Sequence, residues 1–241
     1  MNFDLNCDLG EGEALSKTRA LMRLVTSVNV ACGGHAGNAR TMDTCVRLAK
    51  TQKIRLGAHP GLKTEFGRGL AEIALQELEL LLLQQVGALE KIAGTAGMKL
   101  HHVKLHGSLY HATDTDPHLA RAYLRSVARW WPSLKIYARA GGLVSRLAAN
   151  QNVVVWPEAF ADRAYQPDGS LVARTDPAAL VTDPKLVFHR VQLLHKTGLV
   201  QTMNGNRVRL RAKTIGVHSD TPRAVAIAQA AKRALYRERL D

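Results

Sequence analysis

Apolar and polar positions fall into two alternating kinds of segment along the 241-residue chain. Short runs with period two or with β-branched residues predict strands over 2–5, 25–32, 54–58, 101–105, 134–138, 153–156 and 214–217. Between them, apolar residues three and four apart predict helices over 14–24, 38–50, 70–96, 117–130, 143–149, 183–197 and from 222 to 236 or beyond. The punctuation agrees: Asn38 is placed to cap the second helix, Asp183-Pro184 opens the sixth, Gly198 ends it, and Asn204-Gly205 is a hairpin turn. Strands alternating with helices of a dozen residues or more imply βαβ units and a parallel sheet.

Where the strands stop decides between an open sheet and a barrel. Almost every strand runs into a polar or glycine-rich corner: Asp8-Leu-Gly-Glu11, Gly33-Gly-His35, His59-Pro60, His106-Gly107, Arg139-Ala-Gly-Gly142, Glu158 to Arg163, and His218-Ser-Asp220. An open doubly wound sheet gathers ligands only at its switch point, whereas a barrel brings every strand's C-terminal end to one mouth. The barrel explains more corners, and seven main strands predict a distorted, TIM-like one spanning residues 1–241 without a domain boundary. The first stretch also places Asp4, Asn6 and Asp8 on one strand parity, and burying that many polar groups requires partners.

Composition changes this picture little. The chain is 46% hydrophobic and 22% charged, with no apolar run near the ~18 residues of a membrane span and no signal-peptide pattern, so a cytoplasmic location is expected. Cys7, Cys32 and Cys45 lack CxxC spacing and read as small buried residues, with Cys32 the weaker alternative as a nucleophile. The net charge of +13 raises the question of nucleic acid. Its cations are scattered, and the densest set, Arg207, Arg209, Arg211 and Lys213, fits the guarded face of an edge strand better than a nucleic-acid stripe.

Superposing the corners gives the candidate chemistry. Asp8, Glu11, His35, Lys104, His106, Glu158, Asp162, Arg163 and His218 are the candidate catalytic residues, with Arg139 and Asp220 beside them. Asp8, His59 and His106 could hold a divalent metal that polarises a carbonyl or activates water, and Lys104, Arg163 and Arg174 could take phosphate or carboxylate. Lys104 shares a strand parity with His106, so it either faces the mouth as an oxyanion partner or closes it in a salt bridge. Neither a P-loop nor a GxSxG elbow is present. A metal-dependent deacetylase or amide hydrolase on the same barrel is compatible with these residues.

The segments Asp4-Leu-Asn-Cys-Asp-Leu-Gly-Glu11, Asn29-Val-Ala-Cys-Gly-Gly-His-Ala-Gly37, Gly57-Ala-His-Pro60, Phe66-Gly-Arg68, His102-Val-Lys-Leu-His-Gly107, Glu158-Ala-Phe-Ala-Asp-Arg163 with Tyr165, and Val217-His218 resemble, in this order, the LamB/YcsF family. The resemblance covers almost the whole chain. It implies a seven-stranded β/α barrel of the glycoside hydrolase/deacetylase type. It also implies ATP-dependent opening of the lactam 5-oxoproline to glutamate, with ATP and Mg as cofactors and with subunits B and C of a 5-oxoprolinase as partners. The chain departs from the family pattern at Gly34, Asn38, Gly216 and Ser219, and in a shorter segment between Pro60 and Phe66.

Overall fold

The computed structural model describes residues 3–63, 73–148 and 151–236. The motif Phe66-Gly-Arg68, residues 64 and 65 of the segment between Pro60 and Phe66, and the start expected for the longest helix lie outside the described residues.

The strands are β1 (Asp4–Leu9), β2 (Ser27–Ala31), β3 (Arg55–His59), β4 (His102–Val103), β5 (Lys135–Arg139), β6 (Val154–Phe160), β7 (Leu199–Gln201), β8 (Arg207–Arg209) and β9 (Thr214–Val217). The helices are α1 (Leu15–Met22), α2 (Ala39–Gln52), α3 (Leu75–Thr95), α4 (Gly107–Thr115), α5 (Pro117–Trp130), α6 (Leu143–Leu147), α7 (Pro184–Thr197) and α8 (Ala224–Tyr236). Strands β1 to β6 and β9 form a closed parallel barrel in the order β1-β2-β3-β4-β5-β6-β9, with β9 pairing β1 through Asp4↔Thr214 and β6 through Glu158↔Thr214. The expected TIM-like barrel of seven strands is therefore present. The hairpin β7-β8 is inserted before β9 as a separate antiparallel pair.

Parity divides each barrel strand. Leu5, Cys7, Leu9, Val28, Val30, Leu56, Ala58, Val103, Ile136, Ala159, Ile215 and Val217 are buried against the helices. The opposite parity fills the barrel with polar groups that bond to one another: Asn29 Nδ2 donates to Asn6 Oδ1 and Asp8 Oδ1 (2.7 Å each), and Asn6 Nδ2 donates to Glu158 Oε1 (2.9 Å) and Thr214 Oγ1 (2.8 Å). Many barrel interiors are layered with branched apolar residues; this one is a satisfied polar network. At the N-terminal end of the strands Asp4 accepts from Thr26 (2.6 Å), Ser27 (2.7 Å), Thr214 (2.6 Å), Arg55 (3.1 Å) and Tyr137 (3.1 Å). Asp4 thus braces the closed end, and the acidic cluster of the first strand divides between two ends of the barrel.

Helix boundaries follow local chemistry. Asn38 caps α2 through Arg40 N and Thr41 N, with Thr41 Oγ1 accepting from Asn38 N in return. Asp116 and Asp183 cap α5 and α7, each followed by proline, and Gly198 ends α7 at φ 70°. Three boundaries differ from the sequence pattern. Strand β1 continues to Leu9 because Asn6 and Asp8 find partners inside the barrel. Strand β6 runs through Pro157 to Phe160, whereas proline suggests an end at Trp156; the Pro157 carbonyl still accepts from Lys213 N (2.8 Å). Strand β4 is reduced to two residues, and Lys104 lies just beyond it, its amide still bonded to Ala58 O (2.9 Å). Of the four-cation face, only Arg207 and Arg209 belong to a strand, but Arg207, Arg209, Arg211 and Lys213 are all exposed as a guarded edge requires.

Candidate active site

The C-terminal ends of the strands surround a cavity of about 540 Å³. Asp8 and Glu11 come to it from β1, His59 from β3, Lys104, His106 and Ser108 from the β4 corner, Phe160 and Arg163 from β6, and His218 and Asp220 from β9, with Arg174 closing one side. Volumes of this order suit small-molecule ligands.

Glu11 organises one wall. Its Oε1 lies 3.0 Å from His35 Nε2, 3.2 Å from His106 Nδ1 and 3.6 Å from His59 Nε2. Glycines at φ 79° (Gly10) and 102° (Gly12) turn the chain on either side of this carboxylate. His59 Nδ1 donates to the Lys104 carbonyl (2.8 Å); a carbonyl only accepts, so the neutral ring presents a bare Nε2 to Glu11 and His106. Burial drives the His59 pKa down to about 3, with neighbouring imidazoles adding to the effect and Asp8 and Glu11 opposing it. Burial also disfavours the Glu11 carboxylate, but hydrogen bonds from His106 and His35 outweigh it and hold its pKa well below the usual range.

These donors could hold a divalent ion: one ligand atom each from Glu11, His35, His59 and His106 lie within 4.8 Å of one another. The backbone bond that fixes the His59 tautomer is the outer-shell support such ligands use. The rings of His35 and His106 stack at 3.6 Å and 5°, so one ion cannot lie in both ring planes; His59, Glu11 and one of the stacked pair form the fitting set. Asp8, expected among the ligands, stands outside this cluster. Its Oδ1 accepts from Lys104 Nζ (2.9 Å) and Asn29, and its Oδ2 is 3.6 Å from His59 Nε2.

Lys104 is buried and bridges Asp8 and Glu158 at 2.9 Å each. Burial opposes its charge, but the two carboxylates outweigh that and raise its pKa. Burial pushes Glu158 up against the pull of Lys104, and Tyr110 Oη also donates to it (3.0 Å). Across the cavity His218 Nδ1 bonds Asp162 (3.0 Å), which also accepts from His218 N (3.0 Å) and Thr221 Oγ1 (2.6 Å). Burial disfavours the Asp162 anion, yet His218 and these donors bring its pKa down to about 2. With Nδ1 committed to the carboxylate, His218 Nε2 is the free edge of an Asp–His dyad.

A family model described as LamB/YcsF matches residues 3–241. The chain belongs to the LamB/YcsF family. Proteins named as the A subunit of 5-oxoprolinase are similar to it over nearly their whole length. The one from Thermococcus onnurineus is 40% identical over 100% of this chain and 96% of its own. The one from Erwinia tasmaniensis is 40% identical over 100% and 98%. The crystal structure of a lactam utilization protein from Thermus thermophilus superposes with a TM-score of 0.91 at 34% identity, covering 99% of this chain and 97% of that one.

Not every corner of this LamB/YcsF barrel reaches the cavity. Arg139 is ion-paired to Asp114 and donates to Gly169 O (3.2 Å) away from it. Glu158 and Asp162 lie beneath the wall and support Lys104 and His218. Cys32 is buried with its thiol pKa pushed up to about 12 and its Sγ on Val30 O (2.9 Å), against a nucleophile; Cys7 and Cys45 are likewise free and buried. Several residues of the site, Asn29 and Ser108 among them, have no place in the sequence-based set. Asn29 joins Asp8, Asn6 and His102, and its signal is the period-two placing of Ser27 and Asn29 among valines. Helix α4 begins directly at the His106-Gly107 corner, which hides the inward-facing position of Ser108 in the sequence pattern.

Proposed function

We propose that this chain acts as the A subunit of a 5-oxoprolinase, a hydrolase that opens the lactam 5-oxoproline to glutamate together with subunits B and C, with ATP and Mg²⁺ supplied to the assembly. The observation that carries this reading is the full-length likeness, near 40% identity, to proteins bearing that name. The cavity supplies what the chemistry needs. A five-membered lactam is an unreactive amide; ATP transfers its γ-phosphoryl group to the lactam oxygen and leaves as ADP, and water then adds to the ring carbon and gives up a proton. The C–N bond breaks as the ring nitrogen takes a proton, and a second water hydrolyses the acyl phosphate to glutamate and phosphate.

Glu11, ionised and surrounded by three imidazoles, takes the proton from water, and the neutral His59, tied to the Lys104 carbonyl through Nδ1, holds its position beside it. His218 Nε2, oriented by Asp162, gives a proton to the ring nitrogen. Lys104, held by Asp8 and Glu158, keeps a fixed positive charge beneath both. A divalent ion on Glu11, His59 and one of the stacked imidazoles would add Lewis-acid polarisation when bound. The Asp8, Glu158 and Lys104 set then acts by positioning, and Arg163 faces the substrate's anionic groups, with Arg174 beside it held by Asp220.

Reconstitution tests the reading. Glutamate should form from 5-oxoproline only when this chain, the B and C subunits and ATP are all present. ATP-independent turnover by this chain alone would transfer the assignment to a simple amide hydrolase, and full activity without this chain would end it.

A further inference from the structure

Three long cations line the cavity, and two are neutralised within it. Lys104 is matched by Asp8 and Glu158, and Arg174 pairs with Asp220 at 3.1 Å. Arg163 is 2% exposed, and no carboxylate of the described residues pairs with it. Its Nη2 donates to Val172 O (2.6 Å), while its Nε is buried without an acceptor among the described residues. Burial, reinforced by Arg174, lowers its pKa to about 10 against the pull of Asp162 and Asp220 nearby. A buried guanidinium with no carboxylate bonded to it is costly, and an anion entering the cavity reduces that cost.

A second unsatisfied donor lines the same cavity. Ser108 is 4% exposed and its Oγ has no partner among the described residues. It sits in the first turn of the nine-residue α4, where Leu109 N bonds the His106 carbonyl (3.1 Å) but the Gly107 and Ser108 N–H groups have no acceptor among the described residues, and the N-cap His106 makes no side-chain cap bond. His111, three residues after Ser108 and so on the same helix face, also lines the cavity; after burial, Arg163 is the main cause that lowers its pKa, and Arg174 adds to it. The Ser108 face of α4 and the two arginines therefore share one side of the cavity.

We infer that Arg163 and Ser108 form a carboxylate-recognition subsite that selects acidic lactams over neutral ones. This rests on the proposed function, in which the substrate carries one carboxylate beside its ring. Guanidinium geometry matches a planar carboxylate in a two-pronged bond, and the open turn of α4 favours the same negative charge. Lys104 is not available for this role because two carboxylates already hold it. The carboxylate sits on this wall so that the ring reaches the Glu11 cluster and His218.

Calorimetric titration of the full chain with 5-oxoproline, 2-pyrrolidinone and inorganic phosphate tests the subsite without turnover. The wild type should bind 5-oxoproline roughly 10- to 100-fold more tightly than 2-pyrrolidinone, as expected for a charged hydrogen-bonded pair. Arg163→Gln should remove that preference with 2-pyrrolidinone binding unchanged. Ser108→Ala, which deletes only a hydroxyl, should weaken 5-oxoproline several-fold and leave the neutral lactam alone; it decides the matter if Arg163→Gln does not fold. Equal or absent binding of the two lactams by the wild type overturns the inference. So does a preference that survives in a folded Arg163→Gln and Ser108→Ala pair. Phosphate that competes with both lactams equally would assign Arg163 to a phosphoryl group instead and overturn the carboxylate. Selective binding without glutamate formation in the reconstituted system would leave the subsite standing and reject the proposed function.

Discussion

Lys104 is where catalysis and stability meet, because its ammonium touches two buried carboxylates rather than open solvent. Lys104→Met deletes the charge and leaves Asp8 and Glu158 facing each other across the barrel. Breaking a buried pair in this way costs about 3 to 5 kcal/mol, which in a chain of this size lowers the melting temperature by roughly 6 to 20 °C. A scanning melt of Lys104→Met is expected to show that drop, and adding Glu158→Gln, which removes one stranded charge, should recover part of it. A melt unchanged from wild type would mean that the lysine is not a brace. His218 makes the contrasting case. Its ring packs on Phe160 and its Nδ1 is satisfied by Asp162, so His218→Gln keeps most of the packing and loses the proton carrier. Turnover of the reconstituted enzyme should fall ~100- to 10,000-fold with little change in melting. Much of this chemistry is legible in the sequence because acids and histidines at strand ends are rarely idle. The pairing of Lys104 with Asp8 and Glu158 is not: Asp8 lies 96 residues away, Glu158 sits on a different strand, and only closure of the barrel brings the three together.

Element boundaries show the same division between local and long-range causes. Helices with their own start and stop chemistry, such as α2 under Asn38 and α7 between Asp183 and Gly198, are legible because caps act within a few residues. Strands are legible only as far as their partners are implied. The extension of β1 to Leu9 depends on Asn29 and Lys104 receiving Asn6 and Asp8, and the passage of β6 through Pro157 depends on β5 and β9 on either side. Gly57 in β3 shows how closely neighbouring strands constrain each other. A Cβ there would run into the His102 imidazole, and that ring cannot retreat, being stacked on Tyr137 at 3.8 Å and bonded to Asn29 at 2.6 Å. Gly57→Ala is expected to cost about 1 to 3 kcal/mol by overpacking, measurable as a lower urea midpoint. A midpoint equal to that of the wild type would show that His102 has room to move.

Across the whole molecule, the order β6-β9-β1 and the insertion of the β7-β8 hairpin depend on closure, which no local pattern encodes. Closure also places ionisable groups in the barrel at a density that makes stability depend on pH. His59 and His102 are fully buried, and burial lowers both pKa values, to about 3 for His59 and well below the ordinary 6.5 for His102. In the unfolded chain each binds a proton near pH 6.5, whereas in the barrel each stays neutral to much lower pH. The unfolded state therefore holds more protons in this window, and stability falls as the pH drops below about 6.5. Each histidine contributes a slope of up to about 1.4 kcal/mol per pH unit. Two units of acidification can thus remove about 5 kcal/mol, comparable to the ~5 to 15 kcal/mol that holds an ordinary domain. The depressed carboxylates Glu11 and Asp162 act with the same sign at still lower pH, while the raised Glu158 opposes them. Urea denaturation at about pH 7.5, 6 and 5 should show a nearly constant midpoint down to about pH 6.5 and a steep decline beyond it. In His102→Gln the decline should be shallower, and a midpoint independent of pH across that range would mean that these histidines are not held neutral by the barrel.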